Sequence, residues 1–268
     1  MITEGYLRRH TAAYGGNREI ALLDVAQEYV LEYPRREGVF DEILVFKGGT
    51  ALRKFMFGSD GRFSVDLDFG VRHEDPSHAD FVLDLLEGAS YGGVTVRLER
   101  RKGPAEQLRL DTPLGPVTVP AAVSIRQQSP WLPPRLRAPM PFEFLDRGLQ
   151  PEFVRGPLPI LDPREAAAEK IAAFWRRRKA RDLYDLAHLG RVLQADFDGL
   201  AIARLAALKI YFDVVEGGTG RPLPAPEAIF SLSQSEVTGA DDLGTFRAST
   251  VSVPRLLAEC AQRYAAPR

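Results

Sequence analysis

The sequence holds a single cysteine, Cys260, in 268 residues. That excludes an internal disulfide and any zinc site built from several cysteines. The four histidines, His10, His73, His78 and His188, are scattered and show no ligand spacing. No apolar run approaches the ~20 residues that span a bilayer. Met1 to His10 is charged and has no apolar segment, so no secretory signal is expected. A lone thiol and no such signal point to a reducing, cytoplasmic setting. An excess of one charge sign is missing too: 35 Lys and Arg against 36 Asp and Glu leave a net charge of −1. Such a surface as a whole does not attract a polyanion, so any contact with nucleic acid needs a local basic cluster. Internal repeats and low-complexity tracts are also absent.

What is present is ordinary in amount, with 45% hydrophobic and 26% charged residues, enough for a core in one large or two modest domains. Residues 17–33 carry a helical stripe through Ile20, Leu23, Val30 and Leu31, which Pro34 is expected to end. An apolar element at 43–46 leads into Lys47-Gly48-Gly49-Thr50 and a helical stretch over 51–57. After a loop at 58–61, residues 62–71 alternate as a strand: Phe63, Val65, Leu67 and Phe69 on one face, Ser64, Asp66 and Asp68 on the other. A helix is predicted at 79–89. Strands are predicted at 94–100 and 107–110, joined by a basic turn, and at 117–125. Residues 104–159 hold 12 of the 20 prolines. Helix interiors and central strands exclude proline, so 126–163 reads as an extended connector. From Asp162 the pattern turns helical. Asp162 caps, Pro163 takes the first position, Glu165 sits in the first turn, and helices are predicted at 164–191, 196–214 and 254–264. The order is α+β in two modules, 1–160 and 161–268.

Three constellations carry chemistry. Asp66 and Asp68, two apart on a strand, place both carboxylates on one face about 6–7 Å apart. A divalent ion relieves their repulsion, and magnesium is commonly held by one or two carboxylates plus substrate phosphates. A calcium loop is excluded, because the ligand positions 70 and 77 are Gly70 and Ser77. Upstream, Gly48-Gly49-Thr50 between an apolar element and a helix lets amides approach phosphate closely, though the spacing is not that of a Walker loop. Downstream, Lys170 and Asp182 flank a basic run, Arg176, Arg177, Arg178, Lys179 and Arg181. An unbroken helix would separate Lys170 from Asp182 by roughly 18 Å. A turn within 176–180 is therefore expected, with a second helix starting near Asp182.

The segments VFKGGTALRK at 45–54, RFSVDLDF at 62–69 and EKIAAFWRRRKARDLYDL at 169–186 together resemble the AbiEii/AbiGii nucleotidyltransferase toxins, the family that includes the MenT toxins. These motifs span less than a fifth of the chain, but their order and spacing run from about residue 40 to 190. The resemblance implies a polymerase β-like nucleotidyltransferase core with a mixed sheet at 1–160, and a mainly helical domain at 161–268 that contributes to the active-site cleft. It implies metal carboxylates at Asp66 and Asp68, the glycine pair at Gly48 and Gly49, and the preceding serine at Ser64. The downstream lysine falls on Lys170 and the acid on Asp182 rather than Asp185. It also implies a type IV toxin with a cognate antitoxin, some relatives transferring nucleotides to the 3′ end of tRNA. The chain departs from the pattern in one place. Many polymerase β-like enzymes carry a third carboxylate on a later strand, and 117–125 has none; Asp111, just before it, is expected in a turn.

The expected reaction is magnesium-dependent transfer of a nucleoside monophosphate from a nucleoside triphosphate to tRNA. Gly48, Gly49 and Thr50 cradle the triphosphate, with Ser64, Lys54 and Arg62 assisting. Lys170 neutralises phosphate charge, Asp182 orients a group or aids deprotonation, and Arg176 to Arg181 face the RNA backbone. The rival readings keep the fold with a protein or small-molecule acceptor, replace the reaction by a kinase-type phosphotransfer, or leave a binding module with a decayed site. No protein-kinase signature is present.

Overall fold

In a computed structural model of the chain, the described residues are 2–13, 17–73, 75, 77–99, 106–124, 130–142, 155–215, 224–240 and 252–265. The chain divides into two compact units, Met1–Leu161 and Asp162–Arg268.

The first unit is built on an eight-stranded mixed sheet. Its strands are β1 (Leu44–Lys47), β2 (Leu67–Val71), β3 (Ser90–Tyr91), β4 (Val94–Glu99), β5 (Glu106–Thr112), β6 (Gly115–Ser124), β7 (Arg135–Arg137) and β8 (Leu158–Ile160), in the order β3-β4-β5-β6-β2-β1-β8-β7. Only β1/β8 and β2/β6 pair in parallel. The helices are α1 (Glu4–Ala13), α2 (Arg18–Arg36), α3 (Val39–Glu42), α4 (Gly48–Leu52) and α5 (Ser77–Leu86). Phe46 and Phe69 face each other across β1 and β2 with ring centroids 5.4 Å apart, both fully buried.

Several sequence expectations shift here. Pro34 does not end α2; the helix runs two residues further, to Arg36. A proline that close to a helix end removes one amide donor. The last turn is held instead by buried Glu32, which accepts from Arg35 and Arg36. In α2, Val30 and Leu31 are buried but Ile20 and Leu23 only half so. The strand expected over 62–71 begins at Leu67. Its partner β1 covers only Val71 back to Asp68, because the chain turns into α4 directly after Lys47. That leaves 62–66 with no β1 residue to pair with. The helix expected at 51–57 starts at Gly48 and widens into a π turn over Arg53–Phe57. The region 126–163 is not all connector, since it supplies β7 and the buried β8, which joins β1 through Phe46 and Ile160. Within that stretch, 126–129 and 143–154 lie outside the described residues, as does the turn between β4 and β5.

Behind α4 lies a buried ionic network. Asp24, on α2, accepts from Arg53 Nη1 at 2.5 Å, Lys54 Nζ at 2.7 Å and pairs with His10 Nε2 at 3.0 Å. Glu28, one turn on, takes Lys54 Nζ at 2.7 Å and Arg155 Nε at 2.9 Å. Burial alone would raise the Asp24 carboxyl. Arg53 and Lys54 more than offset this and hold it well below the usual carboxylate range. Glu28 is lowered in the same way, burial being overcome by Arg155 and Lys54.

The second unit is helical: α6 (Pro163–Arg177), α7 (Ala180–Leu193), α8 (Gly199–Val215), α9 (Pro226–Phe230) and α10 (Val253–Cys260). Asp162 caps α6 by accepting from the Arg164 amide at 2.9 Å, and Pro163 occupies the first turn. The helix ends at Arg178, a non-glycine residue at φ 51°. Thr238 holds that turn on both sides: its amide donates to the Arg178 carbonyl, and its carbonyl accepts from Ala180. Buried Lys209 of α8 ties to Glu165 of α6 at 2.9 Å.

Candidate active site

In the first unit the site forms where β1 ends and α4 begins. Gly48 has φ 78°, a backbone region that glycine enters without a side-chain penalty. A methyl group there would overlap the Asp68 carboxylate and stand 2.9 Å from Asp68 Cβ. A methyl on Gly49 would stand 2.7 Å from Arg62 Nη2 and 2.8 Å from Ser64 Oγ. The glycine pair is thus a floor against which Asp68, Ser64 and Arg62 are pressed. Asp68 lies opposite Lys47 in β1 and Ala122 in β6. Leu67 is fully buried, while Asp66 and Asp68 on either side of it are half-exposed. That alternation turns both carboxylates from the core.

Of the residues expected at the triphosphate, Gly48, Gly49, Ser64 and Arg62 converge here. Arg62 is 6% exposed and also donates to the Phe63 carbonyl at 3.1 Å. Thr50 sits beside them, but its hydroxyl is spent on main chain: it donates to the Asp66 carbonyl at 2.5 Å and the Ser64 carbonyl at 3.3 Å. Lys47 takes the N-cap position of α4, and a lysine side chain offers no acceptor to the first-turn amides. Lys54 is elsewhere. It is fully buried, and its ammonium group bonds to Asp24 and Glu28 because the π turn directs it toward α2. A cation so engaged is not available to a phosphate.

Among the described residues, no three His, Cys, Asp or Glu side chains stand together as a metal cage. The donor set is the pair Asp66 and Asp68. Two hard carboxylates fit magnesium, which keeps water and phosphate oxygens in its remaining positions. β6 does run beside Asp68, but with Ala122 in that register, so it supplies no third carboxylate there. Asp111 is not in a turn. It lies in β5 opposite Pro116, accepting from Arg97 at 2.9 Å and Arg109 at 3.0 Å. Pro116 is five residues along β6 from Ala121, about 17 Å.

In the second unit, the break between α6 and α7 falls at Arg178 and Lys179, and α7 starts at Ala180. It brings Lys170 Nζ within 3.7 Å of Asp182 Oδ1 and 2.8 Å of Asp185 Oδ2. Asp182 is 0% exposed and receives Arg177 through two bonds, 2.7 and 2.6 Å. So enclosed, Asp182 orients Arg177 and Lys170 and is not placed to take a proton from an acceptor. Asp185, the less favoured acid in the sequence, is the closer partner of Lys170. The basic run is less basic than it reads. Arg176 pairs with Asp213, Arg177 with Asp182 and Arg178 with Glu236, while Lys179 and Arg181 have no carboxylate partner among the described residues.

Sequence reasoning missed Gln27, Asp24 and Glu28. A signal existed: Asp24, Gln27, Glu28 and Glu32 recur at helical spacing in α2, and all four are buried. Polar residues at core positions of a helix mark a buried network.

A mixed sheet whose glycine floor stands against Asp68, Ser64 and Arg62 points to the nucleotidyltransferase class, and the comparisons agree. The sequence model of the nucleotidyl transferase AbiEii toxin of type IV toxin–antitoxin systems matches residues 31–259. The chain belongs to that family. It is similar to MenT4, the nucleotidyltransferase toxin Rv2826c of Mycobacterium tuberculosis H37Rv, with 32% identity and a TM-score of 0.84 over 99% of this chain and 89% of that one. JHP933 from Helicobacter pylori shares the fold at 17% identity and a TM-score of 0.50, over 98% and 91% of the two chains. A comparison with curated protein sequences returns no match. Membership in a toxin–antitoxin family implies an antitoxin partner. No helix among the described residues is long and apolar enough to cross a membrane.

Proposed function

We propose that this toxin transfers a nucleoside monophosphate from a nucleoside triphosphate to the 3′ end of tRNA in the cytoplasm, and so blocks translation. The observation that carries the reading is the floor of Gly48 and Gly49 pressed against Asp68, Ser64 and Arg62. It presents the Asp68 carboxylate and a guanidinium group beside the start of a helix, with Asp66 two residues before Asp68 in the chain, as phosphoryl transfer by positioning and charge neutralisation requires. The RNA hydroxyl oxygen forms a bond to the α-phosphorus, the bond from that phosphorus to the bridging oxygen breaks, pyrophosphate leaves and the hydroxyl proton passes to water. Asp66 and Asp68 would hold magnesium, which supplies charge neutralisation at the phosphates. Arg62 and the α4 amides orient the triphosphate. Lys170 and Arg177, fixed by Asp185 and Asp182, are the cations we assign to phosphate groups in the second unit. Lys179 and Arg181 are the RNA contacts least committed elsewhere.

Incubation with magnesium, each of four α-labelled nucleoside triphosphates and total tRNA tests this, with Asp66→Ala alongside. Label on tRNA from the unsubstituted protein alone supports the reading and identifies the nucleotide. Label on protein would replace tRNA by a protein acceptor. Label on neither, from a folded protein, would overturn the tRNA assignment.

A further inference from the structure

We infer that Gln27 is a positioning residue for the Asp66 carboxylate, acting together with Thr50; this rests on the reading of Asp66 as a metal ligand. Residues 62–66 precede strand β2, which starts at Leu67 and pairs with β1 only from Asp68, so this stretch needs other partners for its main chain. Three consecutive carbonyls in this stretch are held by two side chains. Gln27 Nε2, from α2, donates to Ser64 at 3.2 Å and Val65 at 2.9 Å. Thr50 Oγ1, from α4, donates to Ser64 at 3.3 Å and Asp66 at 2.5 Å.

The clamp fixes where Asp66 leaves the main chain. One residue beyond it β2 begins, and Asp68 is fixed by the ladder and by Gly48. The two carboxylates thus owe their relative placement to different devices, the sheet for Asp68 and the clamp for Asp66. The Gln27 side chain is 0% exposed, and its Oε1 has no hydrogen-bond partner among the described residues. A buried amide that leaves its oxygen unsatisfied while pointing its nitrogen at two carbonyls is oriented for those carbonyls. Thr50, expected from the sequence at the triphosphate, has the same task from the other side. A metal ligand held by hydrogen bonds to its support loses ~10–100-fold in metal affinity when that support is removed.

The test is titration of the full chain with Mn²⁺, free ion being read by electron paramagnetic resonance. Melting temperatures are taken in metal-free buffer. Gln27→Met keeps shape and removes the donor; Thr50→Val does the same, and Thr50→Ser restores the hydroxyl. The expected result is Mn²⁺ affinity weakened about tenfold in Gln27→Met and Thr50→Val, near-normal affinity in Thr50→Ser, and transfer activity that recovers when magnesium is raised. A purely structural role would lower the melting temperature without moving the metal titration. Mn²⁺ affinity within about twofold of the original in folded Gln27→Met, with Asp66→Ala defective, overturns the inference alone. If Gln27→Met does not fold, equal affinities in Thr50→Val and Thr50→Ser overturn it. Equal Mn²⁺ binding by the unsubstituted chain and Asp66→Ala overturns the metal reading of Asp66, and the inference with it.

Discussion

At the scale of single residues, close approach decides what can be changed. An added methyl at Gly48 collides with Asp68 down to its Cβ and also needs a positive φ. At Gly49 the obstacles include the tips of Arg62 and Ser64, which can shift. Gly48→Ala is therefore expected to lose about 100-fold or more in transfer rate, since displacements near 1 Å cost that much, and Gly49→Ala distinctly less. Steady-state kinetics on both variants, after circular dichroism shows them folded, checks the ranking. Cys260 offers a second check. Burial pushes its thiol up to about 12, and its sulfur donates to the Leu183 carbonyl at 3.6 Å. At pH 8 the thiolate is nearly absent, so a thiol reagent should label the native protein slowly and the denatured protein at once. Rapid native labelling would show that α10 opens readily from α7.

At the scale of elements, charged networks join helices to the segments that carry the site. Asp24 and Glu28 are lowered in the fold, so they stabilise it above the ordinary carboxylate pKa of about 4 and cease to do so as the pH falls through their depressed values. The melting temperature should hold from pH 7 to about 5, then fall steeply below about 4. A flat profile to pH 3 would mean the network does not form. Replacing Asp24 by Asn removes the carboxylate that Arg53 and Lys54 share and leaves Lys54 with Glu28 as its carboxylate partner, for a loss of about 3 kcal/mol, measurable by urea unfolding at neutral pH. Arg177→Leu removes both short bonds to Asp182 at the α6–α7 break and leaves it, among the described residues, only Lys170 at 3.7 Å. Its unfolding free energy should drop by a similar amount, and its transfer rate should fall as well.

At the scale of the whole molecule, net charge is −1 and three of the five cations in the basic run are already paired. If the proposed RNA contact runs through the two others, it releases few counterions. Between 50 and 200 mM salt, affinity for tRNA should fall by less than about tenfold, whereas five free cations would give a fall of about a hundredfold or more. Filter binding across that range separates the two. A steep slope would mean that the ion pairs open on contact with RNA.

The order of the chain by itself determined what depends on near neighbours. The turn into a helix at the glycine pair, the burial of Leu67 between Asp66 and Asp68, the cap at Asp162 and the break before Asp182 are local patterns and are legible in that order, although the helix begins at Gly48 itself and Asp66 lies just before the strand. The tertiary structure decided what depends on partners far along the chain. Lys54 reads as a phosphate cation beside the glycines, yet Asp24 and Glu28 on another helix claim it. Strand β2 begins only at Leu67, because β1 offers no partner before Asp68 and β6 pairs with it only from Leu67. Arg177 reads as one of five equivalent cations until the helix break turns it onto Asp182. Gln27 reads as a polar residue in a helix, and only folding sets its amide beneath Ser64 and Val65, 37 and 38 residues away. Periodicity and capping are short-range, so they are legible in order alone. Which charge meets which, and which carbonyl lacks a strand, depends on the packing of segments that sequence does not place side by side.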